Sequence, residues 1–217
     1  MKIISVLIPA RARPANLQAA IDSCIQLAKH PDRVEVLVAL DKDDPQLRLM
    51  TEVAKSRSAR SFVSEVRHGY LHLYRYFNKL ATASKGDWLV IWNDDSEMLT
   101  QGWDDLLVDA PEVAVQFLRR DVLKTADPTF PVTSRNIFEA MGHLSLNGHC
   151  DAWISDVSWW AKCQVTRDNI VLRHHCLADQ TAGERCDDMP RFKGPEQTAL
   201  RAKDIEAVKV LVERTRR

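Results

Sequence analysis

The sequence predicts an α/β domain with a mostly parallel β-sheet and helices on both of its faces. Two observations support this fold class. Short apolar runs alternate with longer segments in which apolar residues recur at every third or fourth position, and this alternation is typical of βαβ units. The short runs are apolar at nearly every position, which indicates strands that are buried on both faces. The length of 217 residues also suits one domain of this kind.

The first half of the chain is predicted to contain four strands and three helices. Pro14 suits the start of the first helix, because a residue in the first turn does not need the amide hydrogen that proline lacks. Gly86-Asp87 is predicted to form the turn before the fourth strand. In chain order, the predicted elements are strand 3–8, helix 14–28, strand 34–40, helix 46–57, strand 61–66, helix 71–83 and strand 88–92.

The second half is predicted to add further strands and helices and a C-terminal helix. Residues 178–195 carry polar side chains, glycines and prolines, so a mobile loop is expected there. Residues 196–217 are amphipathic and are expected to pack as a helix on the domain, which comprises residues 1–195. The other predicted elements are strand 113–118, helix 135–141, helix 151–162 and strand 170–174.

The composition excludes some classes of function. Thirty Lys and Arg residues oppose thirty Asp and Glu residues, so the chain lacks the basic excess by which proteins hold nucleic acid through bulk charge. No run of ~20 apolar residues occurs, and therefore no membrane span is predicted. The five cysteines are scattered and include no C-x-x-C pair, which favours reduced thiols and a cytoplasmic protein.

Charged or polar side chains lie at the points where four of the predicted strands end. They are Arg11 and Arg13, Asp41, Asn93-Asp94-Asp95, and His174-His175. In an open parallel sheet, ligands bind beyond the carboxyl ends of the strands, so these side chains are expected to converge. Crowded carboxylates favour a bound cation. Oxygen ligands suit Mg²⁺ or Mn²⁺, and a histidine shifts the preference toward Mn²⁺.

The sequence lacks a glycine-rich phosphate loop. Neither G-x-G-x-x-G nor G-x-x-x-x-G-K occurs, and the chain has seven glycines in all. This pattern argues against dinucleotide dehydrogenases and P-loop NTPases. A phosphate ligand would instead be neutralised by a metal ion and by arginines.

Three segments carry a likeness to a known family. They are Ile4-Ser5-Val6-Leu7-Ile8-Pro9-Ala10-Arg11, Val36-Leu37-Val38-Ala39-Leu40-Asp41, and the stretch from Asn78 through Gly86-Asp87 to Asn93-Asp94-Asp95. In this order they resemble the GT-A glycosyltransferases of the family 2 type, closely over residues 3–105 and more loosely over 130–190. The resemblance implies a single Rossmann-like GT-A domain. Residues 1–105 would bind a nucleotide sugar, and residues 106–195 would face the acceptor.

The same resemblance implies a function and assigns roles on the donor side. The function is metal-dependent, inverting transfer of a sugar from a nucleoside-diphosphate sugar, with a UDP-sugar favoured, to a hydroxyl group. Pro9, Arg11 and Asp41 match positions that hold the base and ribose. Asn78 is also assigned to nucleotide-sugar binding, and Arg13 is expected beside the diphosphate.

The metal ligands are implied in the same way. Asn93-Asp94-Asp95 matches the family's D-x-D motif, with Asn93 in place of the usual first aspartate. Asp95 matches the ligand of Mn²⁺ or Mg²⁺, and Asp94 matches the residue that faces the ribose or sugar. His174 matches a histidine that completes the metal shell in several members, and alternation along the strand favours it over His175.

The acceptor side is less well defined. Asp151 matches the family's catalytic acid at the start of a helix and is the predicted general base, although aspartate is also a common helix N-cap. The acceptor could be a soluble glycan, a small molecule or a modified DNA base. A local basic surface for the last would come from Arg119, Arg120, Lys124, Arg135 and Lys162.

Two other functions remain open at the level of the sequence. One is a metal-dependent nucleotidyltransferase, which shares the sheet and the nucleotide-binding edge but attacks the α-phosphate. The other is a non-catalytic nucleotide-sugar binding protein on the same fold. Release of nucleoside diphosphate, release of pyrophosphate, or binding without turnover would separate the three.

Overall fold

The computed structural model describes residues 1–175 and 195–216. The loop expected at 178–195 lies outside the described residues, except for Pro195, which begins the last helix. Two short 3-10 helices, at 31–33 and 70–72, supplement the main elements. The strands and helices are β1 (Ile4–Pro9), α1 (Pro14–Gln26), β2 (Val34–Asp41), α2 (Leu47–Ser56), β3 (Arg60–Ser64), α3 (Leu73–Ala83), β4 (Trp88–Ile91), β5 (Ser96–Met98), α4 (Trp103–Val108), β6 (Val115–Arg120), β7 (Pro131–Ser134), α5 (Arg135–Met141), α6 (Cys150–Ala161), β8 (Gln164–His174) and α7 (Pro195–Thr215).

Four parallel strands form the half of the sheet that contains the N-terminus. Their spatial order is β3-β2-β1-β4. Leu7 of β1 lies in register with Leu37 of β2 on one side and with Ile91 of β4 on the other. Because these strands run in the same direction and in close register, Pro9, Asp41 and the residues after Ile91 reach the same edge of the sheet. We call this edge the carboxyl edge.

The other half of the sheet mixes strand directions. β7 pairs antiparallel with both β4 and β6, β8 runs parallel to β6, and β5 pairs antiparallel with β8. This places β8 in the same direction as β4, so His174 at its end returns to the carboxyl edge. The predicted fold class is confirmed. The short strands β5 and β7 and the helix α4 were not predicted.

Helices cover both faces of the sheet, and each face has its own hydrophobic core. Alternate residues of β1 point to opposite faces, with Ile4, Val6 and Ile8 in one core and Leu7 in the other. The first core is completed by apolar residues of α1, α2 and α4, among them Leu17, Ile21, Met50 and Trp103. The second core is completed by α3, α5, α6 and α7, through residues such as Phe77, Ile137, Trp153 and Val208.

The C-terminal helix α7 packs on the domain as expected from its apolar spacing. Val208 and Val212 are buried, and Leu200, Ile205 and Leu211 pack against the second core. The contacts of α7 are with α5 and α6. Among the described residues, every helix is too short or too polar to cross a bilayer.

Candidate active site

The loop after β1 is held in an unusual backbone conformation. Ala12 has a φ angle of +55°, a left-handed conformation that costs about 1–2 kcal/mol for a residue with a Cβ. Two contacts hold it. The Ala12 amide donates to Asp44 Oδ2 over 2.9 Å, and Gln46 Nε2 donates to the Ala12 carbonyl over 2.9 Å. The turn at Ala12 separates two arginines, Arg11 and Arg13, which contact different acidic groups on the carboxyl edge.

Arg11 reaches the acidic residues that follow β2. Its Nη1 atom donates to Asp41 Oδ2 over 3.1 Å and to Asp43 Oδ1 over 2.7 Å. The hydrogen bond to Asp43 raises the pKa of Arg11, and the same bond lowers the pKa of the exposed Asp43. The guanidinium therefore stays charged on the carboxyl edge, next to the residue predicted to contact the base and ribose.

Asp41 is buried, and Tyr76 of α3 contacts its second oxygen. The Tyr76 hydroxyl donates to Asp41 Oδ1 and accepts from the backbone amide of His68 over 2.7 Å. Burial and the bond to Asp41 raise the pKa of Tyr76 to about 12, so the phenol remains a donor at neutral pH. Tyr76 and Arg11 together fix the orientation of the Asp41 carboxylate. The sequence reasoning missed Tyr76, because its pairing with Asp41 is a tertiary contact between α3 and β2.

Arg13 lies between the two aspartates that follow β4. Its guanidinium donates to both oxygens of Asp94, with an Nε–Oδ2 distance of 3.1 Å, and approaches Asp95 Oδ2 at 3.4 Å. Asp94 is 2% exposed. Burial raises the pKa of Asp94 to about 7, although the charge of Arg13 acts in the opposite direction. Arg13 thus partly neutralises the acidic charge of the turn at 94–95.

His174 lies beside Asp95 at the end of β8. Its Nε2 atom is 3.4 Å from Asp95 Oδ1 and 3.4 Å from Asn93 Nδ2. Burial alone would raise the pKa of Asp95, but the contacts with His174 and Arg13 outweigh it and leave the pKa below its ordinary value. His175 points elsewhere, with its Nε2 2.9 Å from Glu97 Oε1. Of the two histidines considered from the sequence, His174 is therefore the one that the fold places beside Asp95.

The donor set at this point fits a divalent cation that also binds phosphate. Among residues 1–175 and 195–216, no three His, Cys, Asp or Glu side chains form a ready-made metal cage. The oxygens of Asp95 and the imidazole of His174 are nonetheless suitable ligands for Mn²⁺. The Nδ1 atom of His174 is buried and has no hydrogen-bond partner within the described part of the chain. A cation with few protein ligands, completed by phosphate oxygens and water, is usual for Mg²⁺ at diphosphates.

Asp151 lies in the first turn of α6. The amide of Ala152 donates to its Oδ1 over 2.8 Å. Burial raises the pKa of Asp151 above its ordinary value, and the nearby His149 and the Ala152 amide reduce that rise. His149, rather than Asp151, occupies the N-cap position of α6. The N-cap position that the sequence interpretation considered for Asp151 is therefore occupied by His149, whose side chain makes no capping hydrogen bond.

Asn78 contacts the loop before α6 and not the acidic turns. Its Oδ1 accepts from the backbone amides of Leu144 (2.8 Å) and Ser145 (3.3 Å), and its Nδ2 donates to the Ser145 carbonyl over 2.8 Å. The structure thus brings together Arg11, Arg13, Asp41, Asp94, Asp95 and His174, with Pro9 at the end of β1. Asn78, which was predicted to bind the nucleotide sugar, instead binds the backbone of the loop before α6.

The arginines suggested for a basic acceptor surface are largely engaged within the fold. Arg120 pairs with Asp127, and Arg119 donates to the carbonyls of Leu123 and Asp168. Arg135 donates to carbonyl groups at the end of α3 and in the turn before β4. Of the three tryptophans of α6, Trp153 is buried, whereas Trp159 and Trp160 are 66% and 60% exposed.

Comparison with known proteins identifies the family. A family model described as Glycosyl transferase family 2 matches residues 5–139, a segment that includes most of β1, the turn at 94–95 and most of α5. The chain therefore belongs to glycosyl transferase family 2. A search against curated proteins finds no match.

Solved structures share the fold at low sequence identity. The mannosyltransferase PcManGT from Pyrobaculum calidifontis, in complex with GDP-Man and Mn²⁺, aligns with a TM-score of 0.66 and 15% identity, over 82% of this chain and 58% of that chain. S. aureus TarS 1-349, in complex with UDP, aligns with a TM-score of 0.59 and 12% identity, also over 82% and 58%. The chain has the GT-A fold and spans a little over half the length of these neighbours.

Proposed function

We propose that this chain is a metal-dependent, inverting glycosyltransferase that moves a sugar from a nucleoside-diphosphate sugar to an acceptor hydroxyl. The observation that carries the proposal is the geometry of the carboxyl edge. Two arginines there contact three buried acidic residues, and a histidine lies beside one of the three. Membership of glycosyl transferase family 2 supports the reaction class. The residues proposed to bind the donor are Pro9, Arg11, Arg13, Asp41 and Asp94, and those proposed to hold the metal are Asp95 and His174.

The arginines supply the positive charge that a diphosphate needs. Arg11 and Arg13 are about one-third exposed or less, with their guanidinium groups on the carboxyl edge. Planar guanidinium groups bind phosphate oxygens in two-point contacts. A bound Mn²⁺ or Mg²⁺ would offset the charge that develops on the departing nucleoside diphosphate. Charge stabilisation of this kind is usually the largest catalytic contribution.

Asp151 is proposed to accept the proton of the attacking hydroxyl. As the acceptor oxygen forms its bond to the anomeric carbon, the bond to the diphosphate breaks on the opposite face, and the configuration inverts. The proton moves from the hydroxyl to the Asp151 carboxylate. A positioned base of this type contributes about 10²–10⁴-fold.

The donor and acceptor are proposed at the level of chemical class. A UDP-sugar is the favoured donor, and a GDP-sugar is the first competitor because PcManGT was solved with GDP-Man. A glycan or small-molecule hydroxyl is the favoured acceptor, since Arg119, Arg120 and Arg135 are engaged within the fold. A cytoplasmic location is proposed from the scattered cysteines, of which Cys24, Cys150 and Cys163 are buried.

The test is Asp151→Asn, compared with the wild type and with Asp156→Asn on the same helix. Asp156 is half exposed and pairs with Arg201, a kind of pair that contributes little. With UDP-sugars or GDP-sugars and Mn²⁺, we expect Asp151→Asn to keep the donor-induced thermal shift but to lose release of nucleoside diphosphate by roughly 10²-fold or more. Asp156→Asn should retain transfer.

Three outcomes would contradict parts of this proposal. Transfer by Asp151→Asn at a near wild-type rate would remove Asp151 as the base. Release of pyrophosphate from a nucleotide substrate by the wild type would indicate a nucleotidyltransferase. Donor binding without any turnover, across a panel of acceptor hydroxyls, would indicate a binding protein.

A further inference from the structure

The segment that carries Asp151 is tied at both ends to one residue of the C-terminal helix. Asp204 of α7 is 7% exposed. Its Oδ2 atom accepts from Trp153 Nε1 over 2.9 Å, and its Oδ1 atom lies 3.4 Å from His143 Nε2. His143 lies near the start of the loop before α6, and Trp153 lies in the first turn of α6, two residues after Asp151. The Asp204 carboxylate thus contacts both ends of the segment 143–153, which contains Asp151.

Further contacts make this span rigid. The rings of His143 and Trp153 meet edge to face, with centroids 6.2 Å apart. The guanidinium of Arg201, on the same helix as Asp204, lies 5.2 Å from the centre of the Trp153 ring. A buried carboxylate is costly unless its oxygens have partners. The cost of burying Asp204 is therefore offset by contacts that depend on the exact placement of His143 and Trp153.

The opposite side of the loop is held by α3. Asn78 binds the backbone of Leu144 and Ser145 through three hydrogen bonds. From Ser145, hydrogen bonds continue through Asn147, whose Oδ1 accepts from the amide of His149 at the N-cap of α6. The loop is therefore clamped between Asn78 of α3 and Asp204 of α7, and its far end leads directly into Asp151.

We infer that Asp204 is a positioning residue for Asp151, acting through Trp153 and His143, and that Asn78 supports the same loop from α3. This inference rests on the proposed base role of Asp151. The α7 helix then helps to position the proposed base, although its residues do not lie on the carboxyl edge. Loss of the Asp204 contacts with Trp153 and His143 should displace the first turn of α6 relative to the acceptor without affecting donor binding.

The experiment uses two changes at Asp204, a change at its partner and a matched control. Asp204→Ala removes both contacts, whereas Asp204→Asn keeps an acceptor for the Trp153 indole. Trp153→Phe removes the indole N–H and keeps an aromatic ring. Glu206→Ala and Glu206→Gln make the same chemical changes at an exposed position of the same helix.

The kinetic expectation is a loss confined to kcat. Because a misplacement of ~1 Å can cost about 10²-fold in rate, we expect Asp204→Ala and Trp153→Phe to lower kcat by roughly 10- to 100-fold. The KM for the donor should stay unchanged, and Asp204→Asn should recover much of the loss. The double variant, which combines Asp204→Ala with Trp153→Phe, should have the same kcat as Asp204→Ala. The effects of two substitutions that remove the same contact are not additive. The Glu206 variants should match the wild type.

A second readout does not depend on activity. Hydrogen exchange of the backbone amides at 149–154 should speed up in Asp204→Ala and Trp153→Phe, and exchange in β1 and β2 should not. Faster exchange there with an unchanged kcat would reduce Asp204 to a stabilising residue and overturn the inference. Unchanged exchange at 149–154 would overturn it as well. If Asp151→Asn retains transfer, the base assignment fails, and the exchange data still show whether Asp204 fixes this segment. If Asp204→Ala does not fold, Asp204→Asn and Trp153→Phe carry the test.

Discussion

At Ala12, one residue with a left-handed backbone separates two arginines that have different acidic partners. The conformation is unfavourable for alanine, and two hydrogen bonds maintain it, one donated by the Ala12 amide to Asp44 and one donated by Gln46 to the Ala12 carbonyl. Backbone strain that is maintained by specific contacts tends to occur at functional sites. At Ala12 it directs Arg11 to the acids after β2 and Arg13 to the acids after β4. Both arginines lie on the carboxyl edge as a result.

The raised pKa of Asp151 predicts an acidic limit to activity. Burial is the main cause of the rise above the ordinary value of 3.8, because a low dielectric disfavours the charged form. A general base acts when it is ionised, so kcat should fall as the pH drops through this raised pKa. The kcat–pH profile of the wild type should show its acidic limb above the pKa of an ordinary aspartate. A limb at or below that value would contradict the raised pKa of Asp151.

The raised pKa of Asp151 also affects stability, and here the ionised form that activity requires is the less stable one. A carboxyl whose folded-state pKa lies above its unfolded value contributes stability that is fully present below the unfolded pKa and is lost as the pH rises through the folded pKa. Asp151→Asn should thus be at least as stable as the wild type at neutral pH. Thermal unfolding at neutral and acidic pH measures this, and the gap between the two proteins should narrow in acid.

Residues at strand ends were the ones that sequence reasoning could identify. Asp41, Asp94 and Asp95 follow apolar runs whose boundaries are visible in the sequence, and parallel strands bring such ends together. The contacts of Asn78 and Asp204 could not be found this way. Both side chains bind residues about 50 to 67 positions away along the chain, and no periodic pattern encodes such a pairing.

At the scale of elements, the turn between α3 and β4 packs tightly against β1. The amide of Gly86 donates to Ser5 Oγ over 2.8 Å, and a Cβ at position 86 would lie 2.2 Å from that oxygen and 2.6 Å from the Ser5 backbone nitrogen. Gly86→Ala therefore forces β1 and β4 apart. We expect a loss of roughly 1–3 kcal/mol in the free energy of unfolding, as is typical of overpacking. Chemical denaturation measures this loss.

Gly142, at the end of α5, is the matched control for that prediction. Its φ angle is +76°, and nothing lies within 4 Å of a Cβ placed there. Gly142→Ala meets backbone strain alone, at a cost of about 1 kcal/mol. Moreover, because β1 and β4 carry the carboxyl edge, Gly86→Ala should also weaken donor binding, and Gly142→Ala should not. Equal effects of the two substitutions on donor binding would contradict the role assigned to Gly86.

Elements were predictable where hydrophobic periodicity extends over several residues. β1, β2 and β4 are apolar at nearly every position, and α1 and α7 have apolar residues at helical spacing, so their positions followed from the sequence. β5 and β7 have three and four residues, too few for a period to be visible. Their pairing with β8 and with β4 and β6 also makes part of the sheet antiparallel, an arrangement that depends on tertiary context.

At the scale of the whole molecule, an even charge balance conceals a strongly charged site. The chain has thirty acidic and thirty basic side chains, yet the acidic turns after β2 and β4 lie together on one edge. Within the described structure, the arginines that form salt bridges with those turns, Arg11 and Arg13, come from a single loop, residues 10–13. The charge balance at the carboxyl edge therefore depends strongly on this one loop.

Arg13 provides the last test of this arrangement. It is the cation bound to Asp94, which is almost fully buried, so Arg13→Gln leaves that carboxylate without its cationic partner. We expect a loss of up to roughly 3 kcal/mol in the free energy of unfolding, the lower end of the range for a broken buried pair, because Arg13 is one-third exposed.

We also expect Mn²⁺ alone to raise the melting temperature of Arg13→Gln more than that of the wild type. Ligands that bind the folded state stabilise it in proportion to their affinity, and the variant offers the cation an acidic turn without a competing guanidinium. Arg33→Gln, at the distant pair with Asp104 and Asp105, is the control that should show no gain from Mn²⁺. An equal Mn²⁺ response in the wild type and Arg13→Gln would mean that Arg13 and the metal do not share these carboxylates.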